Sequence, residues 1–203
     1  MRYLIVCGGK IDKEFGLNEI KTDGIDAIIA ADSGMDFLYE NGVTPDIIVG
    51  DFDSTTTNAL EYFERKGQTE IRRLNPIKDD TDTEYAIRLA ISEGARSIVL
   101  LGATGSRIDH VLGNISLLGI GLESGTDISI IDTNNRIRMA DKPVTIEKSA
   151  QYGRFVSLIA LTDDNEVSLK GFKYPVTDYS FDRFTSLGIS NEIVDDHALI
   201  DIH

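Results

Sequence analysis

The sequence predicts an α/β protein: an open, mostly parallel, Rossmann-like sheet followed by a small antiparallel β domain. Three observations predict it. Short apolar runs recur through the first 122 residues, several of them continuously apolar, as in strands covered on both faces. Segments with helical spacing lie between them, and that alternation marks an open α/β sheet. From about residue 127 the period changes to two, with turn residues between the runs.

In order, the expected strands of the first domain are Tyr3–Cys7, Ala27–Ala31, Asp46–Val49, Glu70–Leu74 and Ser97–Leu101. Residues 82–93 place Ala86, Leu89 and Ala90 on one stripe, and Gly94 is a C-terminal stop. Ile108, Val111, Leu112 and Ile115 follow the i, i+3, i+4, i+7 pattern of a further helix. The character shifts near Glu123-Ser124-Gly125-Thr126, so the expected boundary divides residues 1–122 from 123–203. Beyond it, Ile128 with Ile130, Ile137 with Met139, and Phe155–Ala160 alternate as strands. Asn134-Asn135, Asp163-Asp164-Asn165 and Lys170-Gly171 read as turns. A β domain this small is marginal alone and is expected to pack on the first domain or on a second subunit.

The bulk composition narrows the function. With 203 residues, 41% hydrophobic and 27% charged, the chain can build a core without disulfides. A net charge of −14 repels nucleic acid and anionic membrane, so neither is an expected partner. An anionic substrate would then need metal ions or a local basic patch. The single cysteine, Cys7, sits inside an apolar run and reads as a core residue; no disulfide can form within the chain, which suits a reducing cytoplasm. The N-terminal apolar run is too short for a signal peptide or a membrane span.

The chemistry concentrates where the strands end. Gly50-Asp51-Phe52-Asp53-Ser54 follows an apolar run, and in extended chain residues i and i+2 share a side, so Asp51 and Asp53 can face one cation or phosphate. Asp32-Ser33-Gly34, Asp80-Thr81-Asp82 and Gly102-Ala103-Thr104-Gly105-Ser106-Arg107 follow other strands. Ligands of open α/β sheets bind beyond those carboxyl ends. Clustered carboxylates raise one another's pKa unless a cation compensates, and Mg²⁺, a hard cation that also shares substrate phosphates, is the natural one. Asp51, Asp53 and Asp82 are the candidate ligands. The same acidic spacing also fits a polar loop with Asx turns. Thr81-Asp82-Thr83-Glu84 fits a capping box, which would also aim backbone N–H groups at phosphate oxygens. The glycine-rich loop is not a Walker A sequence, and a plain strand-to-helix turn explains it equally well. Arg107, His110 and Asn114 share one helical stripe; Arg107 is either a bidentate phosphate ligand or half of a surface ion pair, and His110 reads first as structural. Asp109 reaches the cleft only if the helix starts there. The three histidines have no zinc spacing, no nucleophilic triad is present, and Asp195-Asp196 reads as a solvated turn.

Together these residues resemble thiamine pyrophosphokinase. The likeness rests on Ala31-Asp32-Ser33-Gly34, on Pro45–Ser54, on Lys78-Asp79-Asp80-Thr81-Asp82, on Gly105-Ser106-Arg107-Ile108-Asp109-His110 with Asn114, and on Ser190-Asn191-Glu192, in that order along most of the chain. The resemblance implies an α/β catalytic domain and a β-sandwich domain in a homodimer. It implies transfer of pyrophosphate from ATP to thiamine, giving thiamine diphosphate and AMP, with Mg²⁺. Family carboxylate positions fall on Asp32, Asp51, Asp53 and Asp82, and its glycine, arginine and aspartate positions fall on Gly105, Arg107 and Asp109. The implied catalytic set is Asp51, Asp53, Asp82 and Arg107. Asp32, Ser33, Lys78, Thr81, Thr104, Gly105, Arg107 and Asp109 are the implied ATP site. Ser190 and Asn191 match a segment of the thiamine pocket between subunits. The chain departs from the family at Ser33 and Ser106, where glycine is frequent, and it has no tryptophan to lay against thiamine. Two other functions use the same carboxylates: a Mg²⁺-dependent phosphohydrolase or nucleotidyl transferase, and a non-catalytic nucleotide-binding module.

Overall fold

Strand order fixes where a ligand can sit. In this computed structural model, which describes residues 1–52, 58–75, 80–105, 107–163 and 165–203, the chain divides into two units, Met1–Met139 and Ala140–His203. The first is built on β1 (Arg2–Val6), β2 (Ala27–Ala31), β3 (Ile47–Gly50), β4 (Glu70–Arg73), β5 (Ser97–Leu101), β6 (Asp127–Ile131) and β7 (Arg136–Arg138). They form one seven-stranded sheet in the order β4-β3-β2-β1-β5-β6-β7. All neighbours are parallel except β6 and β7.

The apolar runs become strands because both their faces are covered. Tyr3, Ile5 and Cys7 of the first run face one core and Leu4 and Val6 the other. The second of these cores takes Phe15 and Ile20 of α1 (Lys13–Ile20), Met35 and Leu38 of α2 (Gly34–Glu40), and Phe63 of α3 (Ala59–Lys66). The first takes Ala86, Ile87, Leu89 and Ala90 of α4 (Asp82–Ser92), and Ile115 and Ile120 of α5 (Ile108–Leu117) and α6 (Gly119–Ser124). Burying each Leu, Ile or Phe contributes about 1.5–3 kcal/mol against leaving it exposed.

The chain steps outward from β1 to β4, then returns past β1 to place β5 on its other side. Helices α1–α3 and α4–α6 therefore cover opposite faces, as right-handed crossovers in opposite directions require. The reversal opens a crevice between the carboxyl ends of β1 and β5.

Two expectations change here. Residues 127–139 belong to the first sheet: β6 pairs in parallel with β5 from Ser97↔Asp127 to Leu101↔Ile131, and β7 folds back on it. The division thus lies at 139/140 rather than 122/123. Ile128 and Ile130 do alternate with Ser129, but that serine is itself buried, so β6 is covered on both faces like its parallel neighbours. The helix expected from Ile108 to Ile115 forms, yet Ile108 is 73% and Leu112 60% exposed, while Ile115 packs on the core.

The second unit is a four-stranded antiparallel sheet, β10-β9-β11-β8, from β8 (Val144–Glu147), β9 (Asn165–Lys170), β10 (Val176–Phe181) and β11 (His197–Ile202). Its own core holds Val167, Leu169, Phe172, Phe181, Ile193, Ala198 and Ile200. The expected strand Phe155–Ala160 is reduced to an isolated bridge, Val156↔Asn191. Gly171, at φ +76°, makes the turn after β9; a Cβ there would lie 2.3 Å from the carbonyl oxygen of His197.

Candidate functional site

Asp32 follows β2, Asp51 follows β3, and Asp82 is the first residue of α4. One carboxylate oxygen of each lies within 4.8 Å of the other two, and all three residues are half-buried. The arrangement is built locally. Asp32 N–H donates to Val49 O at 2.8 Å, carrying the β2–β3 pairing one residue past the strand. Asp32 then turns into the left-handed region at φ +47°, and Phe52, just after Asp51, does the same at φ +64°. An Asp tolerates that conformation, but for a bulky Phe it is strained, and such strain collects at functional sites. The Phe52 ring lies under the Arg73 guanidinium, 5.3 Å from its centroid.

Asp82 is placed by the start of α4. Thr81 is the N-cap, accepting from Glu84 N–H at 3.2 Å, as the capping box implied. The helix N-terminus favours negative charge at Asp82 and points its first N–H groups the way an anion would be held. Thr83, in the same turn, donates to Cys7 Sγ at 3.7 Å, tying α4 to the end of β1. Burial pushes the Cys7 thiol up to about 11, so it stays neutral. An all-oxygen trio of carboxylates that converges in this way fits a hard divalent cation. Asp51 and Asp82 are where the sequence placed metal ligands, and Asp32, assigned from the resemblance to the nucleotide, joins them. Asp53, Lys78 and Ser106 lie outside the described residues.

Three glycines next to Asp32 and at the end of β1 leave no room for a side chain. A Cβ on Gly8 would lie 2.1 Å from Ser33 Oγ, one on Gly9 2.3 Å from Gly102 O, and one on Gly34 1.9 Å from Val6 O. Gly9 N–H donates to Gly102 O at 2.9 Å. Gly8-Gly9 belongs to this crest and was missed by sequence reasoning; the signal was two glycines directly after the first apolar run.

The loop after β5 is held from two sides. Thr104 Oγ1 donates to Asp132 Oδ2 at 2.8 Å, and Asn114 Nδ2 to Ala103 O at 2.8 Å. Burial pushes the Asp132 carboxyl up, but bonds from Asn134 N–H, the Thr104 hydroxyl and Asn135 together hold it below the usual carboxylate range. Asp132 is a second residue not legible in the sequence, since it borders the Asn134-Asn135 turn. Gly105, Arg107 and Asp109 are exposed. Arg107 donates through Nε and Nη2 to Asp109, with a closest approach of 2.6 Å, and that bond holds the Asp109 carboxyl below its ordinary range. The guanidinium keeps further N–H donors for a phosphate.

Ser190 and Asn191 lie in the second unit. Ser190, at φ +61°, is exposed and its N–H donates to Ser157 Oγ at 3.0 Å. Asn191 is buried: Nδ2 donates to Tyr174 O at 2.8 Å, and Oδ1 accepts from Tyr174 N–H at 3.1 Å and Glu192 N–H at 2.9 Å.

Known proteins share this sequence pattern and this fold. Residues 21–130 match the family model of the thiamin pyrophosphokinase catalytic domain, and residues 143–203 that of the thiamin pyrophosphokinase vitamin B1 binding domain. The thiamine pyrophosphokinase of Bacillus subtilis (strain 168) is 35% identical over 168 residues, 82% of this chain and 78% of the relative. A crystal structure of thiamine pyrophosphokinase from Bacillus subtilis superposes with a TM-score of 0.87 at 32% identity, covering 100% of this chain and 94% of that one. One from Geobacillus thermodenitrificans gives 0.83 at 29% identity, covering 100% and 93%. With both of its parts matched in order, the chain belongs to the thiamine pyrophosphokinase family.

Proposed function

We infer that the protein is an ATP-dependent thiamine diphosphokinase, which moves the pyrophosphoryl group of ATP to the hydroxyethyl group of thiamine and releases AMP. Family membership supports the reaction, and the convergence of Asp32, Asp51 and Asp82 carries it into the geometry. A phosphohydrolase or a bare nucleotide-binding module has no use for a second domain of the vitamin B1 binding type.

The reaction is an in-line displacement at the β-phosphorus, which depends on positioning and on neutralising charge. Mg²⁺ held by Asp32, Asp51 and Asp82, with Asp53 as a further ligand from the sequence, would supply Lewis-acid neutralisation of the phosphates. The chain's own groups do the rest. Arg107, with Asp109 fixing its head, and Lys78 bring positive charge to a molecule of net charge −14. N–H groups at the start of α4, beside Thr81, and the backbone at Gly8, Ser33 and Gly105 take phosphate oxygens. A carboxylate of the acidic group orients the thiamine hydroxyl. Thiamine is a cation, and the acidic surface favours its approach.

The finer points rest on the family and on surface chemistry. A homodimer, with Ser190 and Asn191 at the thiamine pocket, is supported by apolar side chains left open in the second unit: Phe184 is 91%, Ile159 71% and Phe155 53% exposed. No described helix is long and apolar enough to cross a membrane. A lone buried thiol and an ATP-consuming reaction suit the cytoplasm.

The test is product analysis with purified chain, ATP, thiamine and Mg²⁺. AMP and thiamine diphosphate should form in equal amounts. Asp51→Asn and Asp82→Asn should each lower turnover by about a hundredfold or more, and should weaken Mn²⁺ binding measured by paramagnetic resonance without substrate. Variants that keep wild-type turnover would remove the metal assignment.

A further inference from the structure

We propose that Asp132 is a positioning residue for the nucleotide loop, acting through the hydroxyl of Thr104; the proposal rests on the functional reading above. Asp132 follows β6, one strand beyond β5 along the carboxyl edge. The turn between β6 and β7 is wrapped around its carboxylate. Oδ1 accepts from Asn134 N–H at 2.8 Å, Asn135 N–H at 2.7 Å and Asn135 Nδ2 at 3.0 Å, and Oδ2 accepts from Asn135 Nδ2 at 3.1 Å. The backbone closes the same turn, Asp132 N–H donating to Asn135 O at 2.9 Å. Beyond the turn, Oδ2 takes the Thr104 proton at 2.8 Å, across 28 residues of sequence.

A threonine hydroxyl has one proton to give. Given to Asp132, that proton is not available to a phosphate oxygen, so Thr104 serves the loop rather than the ligand. Three consecutive residues of the loop are then tied. Gly102 O accepts from Gly9 N–H, Ala103 O from Asn114, and Thr104 Oγ1 donates to Asp132. Just beyond, a Cβ on Gly105 would lie 3.4 Å from Gly9 Cα, so the loop runs close against the end of β1. An aspartate beside a triphosphate site would ordinarily repel it; here the carboxylate is turned onto four donor groups of its own chain.

The experiment uses the full chain as wild type, Thr104→Val, Thr104→Ser, Asp132→Asn and the Thr104→Val/Asp132→Asn double variant. Steady-state kinetics of thiamine diphosphate formation, ATP titration calorimetry without thiamine, and thermal midpoints are measured for each. Thr104→Val leaves the turn intact. Asp132→Asn has one acceptor oxygen, which cannot serve both the turn and Thr104. Each should raise the KM and Kd for ATP about tenfold while kcat stays within about threefold. Thr104→Ser should match wild type. The double variant should be no worse than the poorer single one, because both cut the same link. Losses that add in the double variant would make Thr104 a direct nucleotide ligand and overturn the proposal; so would wild-type ATP affinity in Thr104→Val, or an equal loss in Thr104→Ser. If Asp132→Asn does not fold, the contrast of Val with Ser at 104 decides. A wild type that binds ATP but makes no thiamine diphosphate sinks the functional reading alone, and the Kd series still decides the link. A wild type that does not bind ATP overturns both.

Discussion

Asn191, proposed for the thiamine pocket, also has a structural task for its side chain. Its amide donates to Tyr174 O and accepts from two backbone N–H groups, all inside the second unit. Removing it leaves buried partners unpaired, at a cost of about 1–3 kcal/mol each. Asn191→Ala should therefore lower stability by about 2–4 kcal/mol, read as a drop in thermal midpoint, with Ser190→Ala near wild type. Equal midpoints for the two would show that the amide does not hold this corner. Spacing alone had no means to show which way the amide turns, because the partner, Tyr174, is 17 residues away in sequence and meets it only across the folded unit. Asp51 and Asp82 were legible for the opposite reason. A carboxylate just past an apolar run is placed at a strand end by local sequence, and strand ends of a parallel sheet share one edge.

At the scale of elements, β1, β2, β3 and β5 were legible as apolar runs because they are largely buried on both faces, whereas β4, at the edge of the sheet, is polar and open. The loops between them were less so. Gly8-Gly9, Gly34 and Gly102 are separated along the chain, and only the β2-β1-β5 adjacency brings their backbones together. That adjacency predicts unequal tolerance. Gly34→Ala drives a Cβ to 1.9 Å from Val6 O, a backbone atom in the sheet that cannot swing away. It should cost about 3 kcal/mol or more, whereas Gly105→Ala, whose nearest neighbour is at 3.4 Å, should stay within about 0.5 kcal/mol. Chemical denaturation of both variants checks the contrast, and equal midpoints would deny the close packing of β1 on α2. The helix α5 marks the limit of periodicity: its apolar spacing was right for a helix, but Ile108 and Leu112 remain outside the core of their own unit.

For the whole molecule, the division at 139/140 has a mechanical consequence. A chain cut after residue 122 would bare the edge of β5, whose Ile98, Leu100 and Leu101 are fully or almost fully buried. An uncovered, apolar edge strand pairs with other copies. Residues 1–122 should aggregate, while residues 1–139, which keep β6 and β7, should remain soluble and unfold cooperatively; size-exclusion chromatography and thermal melts distinguish them. A soluble, cooperative 1–122 fragment would mean that β6 is dispensable to the sheet. By itself the sequence determined the α/β class, the first five strands, the acidic and glycine-rich loops, and the family, because each of these is written within short windows whose burial or turn chemistry is local. Only the tertiary structure decided that β6 and β7 extend the first sheet, that Asp32 joins Asp51 and Asp82, and that Asp132 reaches Thr104. Those facts depend on which strand lies beside which, and neighbour choice in a sheet is settled by long-range burial and crossover geometry, not by any window of the chain.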